Sequence, residues 1–219
     1  MLNACALMTT AAWVGSAPRR AESAASGSPP ASAAPATQFL PLFPLGVVAF
    51  PGELVALHIF EPRYLQLIGE CAEQGISFGI VTTVPGGASS VGTEMALDRI
   101  LGADESGTLD VTTRGLRVFQ LHRFESVVEG KLYSGGQVSF VRNNPSFQDE
   151  IQIALVQLYN RQQYLYGSTR KIAAPYPENL SFLIGHQVGL NRAQELQLLT
   201  MPAERDRQAY LLQHLLRSQ

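Results

Sequence analysis

Lysine and cysteine are scarce in this 219-residue chain, which has two of each. Two thiols, Cys5 and Cys71, cannot by themselves supply the four ligands of a structural zinc site, nor do they form a disulfide framework. Cys71 reads as a buried thiol on a helix and Cys5 as incidental, so nothing demands an oxidising compartment. Few lysines, a formal charge of -2 and a sequence pI near 6.1 argue against a strongly basic surface for gripping phosphate backbones, while that average leaves room for a local patch. Nucleic acid is therefore not an expected partner. No run reaches the roughly 18 consecutive apolar residues of a membrane-spanning helix, so no membrane partner is expected. Residues 1–17 are mildly apolar, but Arg19 and Arg20 follow that stretch instead of preceding it, which is the wrong order for a secretory leader. The expected location is cytoplasmic.

Recognisable catalytic chemistry is also missing. There is no phosphate-cradling G-x-x-x-x-G-K-[ST] and no zinc-binding H-E-x-x-H. His58 lies on an apolar strand, where a hydrogen-bonded structural histidine is the expectation, and His122, His186 and His214 share no ligand-like spacing. The acidic pairs Asp104-Glu105 and Asp149-Glu150 suit a solvated turn and a helix N-terminus respectively. Gly86-Gly87 precedes a β-like segment, not a helix whose N–H groups could converge on an anion, so it reads as a hairpin tip. No catalytic residue, metal or cofactor is assigned.

What the sequence does have is organised from Phe39 onward. Residues 1–38 are dominated by Ala, Ser and Pro, a composition that buries too little apolar surface to offset the entropy of ordering, and a disordered arm is expected there. Residues 39–64, FLPLFPLGVVAFPGELVALHIFEPRY, then compress several signals. Pro51-Gly52 suits the centre of a turn, predicting a hairpin between 47–50 and 54–60. Leu54, Ala56, His58 and Phe60 alternate with Val55, Leu57 and Ile59, so both faces of that strand are apolar enough to be covered. Pro62 suits a helix start and Gly75 its close. Five β-rich runs follow over 77–84, 93–101, 109–113, 116–124 and 132–141, separated by turn residues including Gly115. After Asn143-Asn144-Pro145 the apolar period lengthens to about 3.6, with Ser146 and Asp149 as a capping-box start, and helices are predicted near 180–188, 192–199 and 203–216, with Asn191 and Thr200 as caps.

The opening stretch, together with VGTEMALDRI at 91–100 and DVTTRGLRVFQL at 110–121, resembles the N-terminal, substrate-binding domain of the Lon proteases. The resemblance implies an α+β fold: a PUA-like β-barrel or sheet domain over 39–142, followed by a helical bundle over 143–219. It also implies a non-catalytic module that binds unfolded or tagged polypeptides, working alone or as an adaptor to a separate ATP-dependent protease. The sequence ends before it could hold the Lon ATPase or peptidase, and Lys131 and Lys171 lie in contexts unlike the Ser-Lys peptidase. RNA binding is the alternative, since PUA-like barrels also serve that purpose.

Candidate recognition residues are Phe43, Leu45, Phe50, Arg114 and Arg117. Pro41 and Pro44 remove ladder donors, which predicts an irregular edge around Phe43 whose side chains can meet an extended polypeptide. Plugging one end of a barrel is the alternative role for that segment. On the recognition reading, Phe43→Ser weakens binding of an unfolded protein and spares the fold. Arg114 and Arg117, three apart across Gly115, read as solvated edge residues or as contacts for a carboxylate or phosphate.

Overall fold

The structure is a computed structural model that describes residues 36–104 and 107–218; residues 1–35 of the arm expected over 1–38 lie outside them, and its last residue, Gln38, is in a strand. Its first strand, β1 (Gln38–Leu45), carries the two prolines and is not an edge. It pairs antiparallel with β6 (Ser134–Phe140) up to Leu42 and parallel with β3 (Phe78–Val84) from Leu42 onward. Pro41, opposite Gly135, and Pro44, opposite Val81, each fall where β1 has a single registered neighbour. Proline is tolerated there because the side lacking a donor has no strand to serve. The exchange of partners at Leu42 is what admits two prolines to an interior strand.

The Pro51-Gly52 turn forms, with Glu53 N–H donating to Phe50 O at 3.2 Å, but not as a β-hairpin. Residues 47–50 are not a strand, and β2 (Leu54–Ile59) pairs instead with the distant β5 (Leu109–Glu125). β2 is the edge of the sheet, and the face expected to be covered is not: Leu54 is 53% exposed, as is Phe60 just beyond the strand at 64%. Helix α1 (Pro62–Gln74) opens on Pro62 and ends at Gly75 with φ 66°. Its apolar stripe, including Leu67, Ile68 and Cys71, is buried in one cluster with Phe43, Phe78 and Met95. Burial pushes the Cys71 thiol pKa up to about 11, which keeps it protonated and unreactive at neutral pH.

β3 and β4 (Gly87–Ala103) form a hairpin with Pro85-Gly86 at its tip. β4 and β5 are 17 residues each and bend through register shifts at Glu94/Met95, Leu97/Arg99 and Ile100/Gly102, as bulged strands do. The two runs predicted on either side of Gly115 are therefore one strand. The six strands lie in the order β2-β5-β4-β3-β1-β6, and an additional β5–β6 pairing closes all but β2 into a ring. Phe119 belongs to a small buried cluster with Leu40, Leu42, Val81 and Val138. Phe119 is fully buried, and a Cβ placed on Gly79 or Gly92 would lie 2.7 or 2.5 Å from its ring. The neighbouring strands accept Phe119 only because those two positions lack a side chain.

Among the described residues four helices follow: α2 (Asp149–Leu165), α3 (Leu180–Gly185), α4 (Arg192–Thr200) and α5 (Glu204–Arg217). Asn191 caps α4 in a full capping box with Gln194. Ser146 does not cap α2, whose N-cap is Gln148; Thr200 ends α4, its hydroxyl donating to Gln197 O, and α5 starts from Ala203. One buried cluster joins the outside of the ring, through Phe50, Val91 and Val118, to Leu155, Ile184 and Leu211 of the helices. Strands and helices thus share a core in an α+β arrangement.

Candidate functional site

Two open clefts, of about 410 and about 670 Å³, meet along the seam between the Pro51 turn with β5 and the segment leading into α3. They share Pro51, Asn179 and Phe182. The turn is held close to β5 by two backbone bonds, Gly52 N–H to Gly115 O at 2.9 Å and Gly115 N–H to Glu53 O at 2.8 Å. A Cβ on Gly115 would lie 2.2 Å from Phe50 O, so this approach requires glycine. Beneath the turn, the Phe50 ring stacks on Phe182 at 5.3 Å and on His186 at 4.4 Å.

His186 ties the seam together. Its ring bonds Glu195 of α4 at 2.6 Å and Glu53 of the turn at 3.2 Å, and Glu53 also accepts the Phe50 N–H at 2.9 Å. Burial depresses the imidazole pKa, but the bonds and charges of the two carboxylates outweigh it and raise the value to about 9. The histidine is charged at neutral pH. Because this folded-state pKa lies above the ordinary 6.5, the link contributes fully below about pH 6.5 and is lost as pH rises through 9. We expect His186→Gln to lower the urea midpoint relative to the native protein at pH 6, and the deficit to shrink by pH 10. Urea denaturation at both pH values checks it.

Of the sequence-predicted residues, the seam gathers Arg114 and Arg117, one beside each cleft. Arg114 pairs with Asp98 at 3.2 Å; Arg117 pairs through Nε with Glu94 at 2.6 Å, and its Cζ lies 3.4 Å over the Phe140 ring. Phe50 lies under the seam but is 1% exposed, and Phe43 is 4% exposed in the α1 cluster, its ring 3.7 Å from that of Tyr64. Neither offers its ring to a partner in this structure. Leu45 is half-buried beside the same α1 cluster. The apolar surface of the seam comes instead from residues that no local sequence signal singles out. Leu116 is 45% exposed on β5 and lines the smaller cleft, and Leu54 lines the larger.

Under the smaller cleft, Arg207 of α5 is almost fully buried. It bonds Glu204 Oε2 at 2.7 Å, Ser181 Oγ at 2.8 Å, Met201 O at 2.7 Å and Asn143 Oδ1 at 2.8 Å, with its Cζ 4.2 Å over the Phe182 ring. This network fixes the loop after β6 and the start of α3 against each other. Asn143 completes the link by donating to Asn179 Oδ1 at 2.9 Å.

The sequence also spells G-x-S-x-G at Gly75-Ile76-Ser77-Phe78-Gly79. A nucleophile elbow turns from strand to helix, whereas Ser77 leaves α1 and enters β3, and its hydroxyl donates to Glu94 at 2.6 Å. The spelling is not an elbow. Among the described residues no three His, Cys, Asp or Glu side chains are grouped to hold a metal, and no helix is long and apolar enough to cross a membrane.

A closed ring with an added edge strand and a helical layer is the fold of Lon N-terminal domains. The Lon N-terminal domain protein from Xanthomonas campestris is 26% identical with a TM-score of 0.65, over 80% of this sequence and 98% of that one. The N-terminal domain of the Mycobacterium avium complex Lon protease, 18% identical, has the same fold with a TM-score of 0.59, over 81% of this sequence and 98% of that one. The model of the ATP-dependent protease La (LON) substrate-binding domain matches residues 39–217, and the protein belongs to that family. No curated protein matches it.

Proposed function

We propose that the protein is a non-catalytic polypeptide-binding module, with a PUA-like barrel and a C-terminal helical bundle, that engages unfolded or tagged proteins in protein quality control. On this reading it acts in the cytoplasm as an adaptor to a separate ATP-dependent protease. The observation that supports it is the seam: two open clefts with exposed leucines, rimmed by Arg114 and Arg117, on a member of the Lon substrate-binding family. An extended polypeptide presents alternate side chains that such clefts can receive. RNA is the weaker reading, because Arg114 and Arg117 already face Asp98 and Glu94.

The double variant Leu54→Thr/Leu116→Thr removes exposed apolar area and keeps β-favouring side chains. It should weaken binding of reduced, carboxymethylated lactalbumin by about tenfold, with the melting temperature unchanged. Fluorescence anisotropy with the labelled protein measures it, and equal affinities would remove the seam as the recognition surface. The purified protein should neither hydrolyse ATP nor cleave casein.

A further inference from the structure

We propose that the smaller cleft binds a carboxylate flanked by an apolar side chain, so that the module prefers polypeptides with that pair; this rests on the polypeptide-binding reading above. The cleft is lined by three arginines and, among the described residues, by no Asp or Glu. That imbalance is local, since the whole protein has a formal charge of -2.

The three cations are not equivalent. Arg207 is spent on Glu204 beneath the surface. Arg117 gives its Nε to Glu94, and its terminal nitrogens make no hydrogen bond with a described residue. The Arg142 side chain, exposed at the mouth, has neither an ion pair nor a hydrogen bond among the described residues. Asn179 Oδ1 is occupied by Asn143, which leaves its amide N–H groups as donors at the same rim. Donors of this kind, two of them cationic, suit a carboxylate because charge-assisted hydrogen bonds are the stronger class.

The walls identify what accompanies the carboxylate. Leu116, Met201 and Phe182 are apolar and line the same 410 Å³ space, enough for one large side chain. A nucleic-acid strand fits less well, because single-strand binding uses free aromatic faces for base stacking. Here Arg117 covers Phe140 at 3.4 Å, and Phe182 is flanked by Arg207 at 4.2 Å and Phe50 at 5.3 Å. The carboxylate has two sources, the C-terminus of a polypeptide or an internal acidic side chain.

Three fluorescein-labelled decapeptides separate these cases. All share one Gly/Ser body ending in Leu-Phe; the first has a free C-terminus, the second a C-terminal amide, and the third an amide with Asp before Leu-Phe. By anisotropy on the 219-residue protein, the first or the third should bind about tenfold tighter than the neutral amide. Arg142→Gln, at an exposed position, should largely abolish that preference, and Arg117→Gln should reduce it. Whichever acidic peptide is preferred names the source.

Equal binding of all three peptides while carboxymethylated lactalbumin is still captured would overturn this proposal and leave the polypeptide reading standing. Loss of lactalbumin binding as well would overturn both. A preference that survives the combined Arg117→Gln/Arg142→Gln change, or poly(U) binding abolished by that change, would also overturn it.

Discussion

Replacing Arg207 by leucine is expected to destabilise the protein by about 3–5 kcal/mol, the usual cost of leaving one member of a buried ion pair alone. Arg207 and Glu204 are 1% and 0% exposed, one turn apart at the start of α5. Burial lowers the guanidinium pKa and the adjacent Glu204 raises it. The pair is tolerated because nearly every polar atom is used. Glu204 also accepts from the Ser181 N–H at 2.9 Å, the Ser181 hydroxyl at 2.6 Å and the Gln208 amide at 2.9 Å. Leucine would strand that carboxylate and leave Met201 O and Asn143 Oδ1 without their donor.

A second variant separates a charge effect from a packing effect. Arg207→Leu/Glu204→Leu removes both charges and should recover part of the loss, because two apolar side chains can replace a buried pair at little cost. Urea denaturation of the three proteins measures it. A single variant within about 0.5 kcal/mol of the native protein, the range of an ordinary surface substitution, would mean that the network is dispensable. Because Asn143 and Asn179 hang from the same network, the single variant should also loosen the smaller cleft.

Several features written in adjacent residues were legible, although the capping box read at Ser146 and Asp149 did not form. Pro62 and Gly75 bound α1, Asn191 and Gln194 form the capping box of α4, and Pro85-Gly86 turns the β3–β4 hairpin, since each depends on backbone chemistry within four positions. Features that depend on a distant partner were not. Nothing near Pro51 says that β2 will pair with β5, whose Arg114 faces Leu54. Gly115 looked like a break between strands because the reason for it, Phe50 O, arrives from 65 positions earlier. The site divides in the same way. Arg114 and Arg117 announce themselves as paired cations on a strand, whereas Asn179, Phe182 and Arg207 become neighbours only when α3 and α5 pack on the ring.

Phe43 shows how the same local pattern can mislead, and its replacement by serine is the other large effect expected. Proline on both sides of Leu42-Phe43 suggests an irregular edge, but β1 exchanges partners there and keeps both side chains inside. The Phe43 ring stacks 3.7 Å from Tyr64 and tilts 6.3 Å from Phe78, in the cluster that holds α1 on the ring. Truncating such a ring costs about 3–5 kcal/mol through lost burial and the cavity left behind, and serine adds an unpaired hydroxyl. Phe43→Ser should therefore melt well below the native protein. Phe43 lines neither cleft, so the folded fraction of the variant should still bind carboxymethylated lactalbumin with native affinity. Titration below the melting transition, corrected for folded protein by circular dichroism, tests this. Weakened binding with native stability would return Phe43 to the recognition surface and move the site from the seam to the first strand.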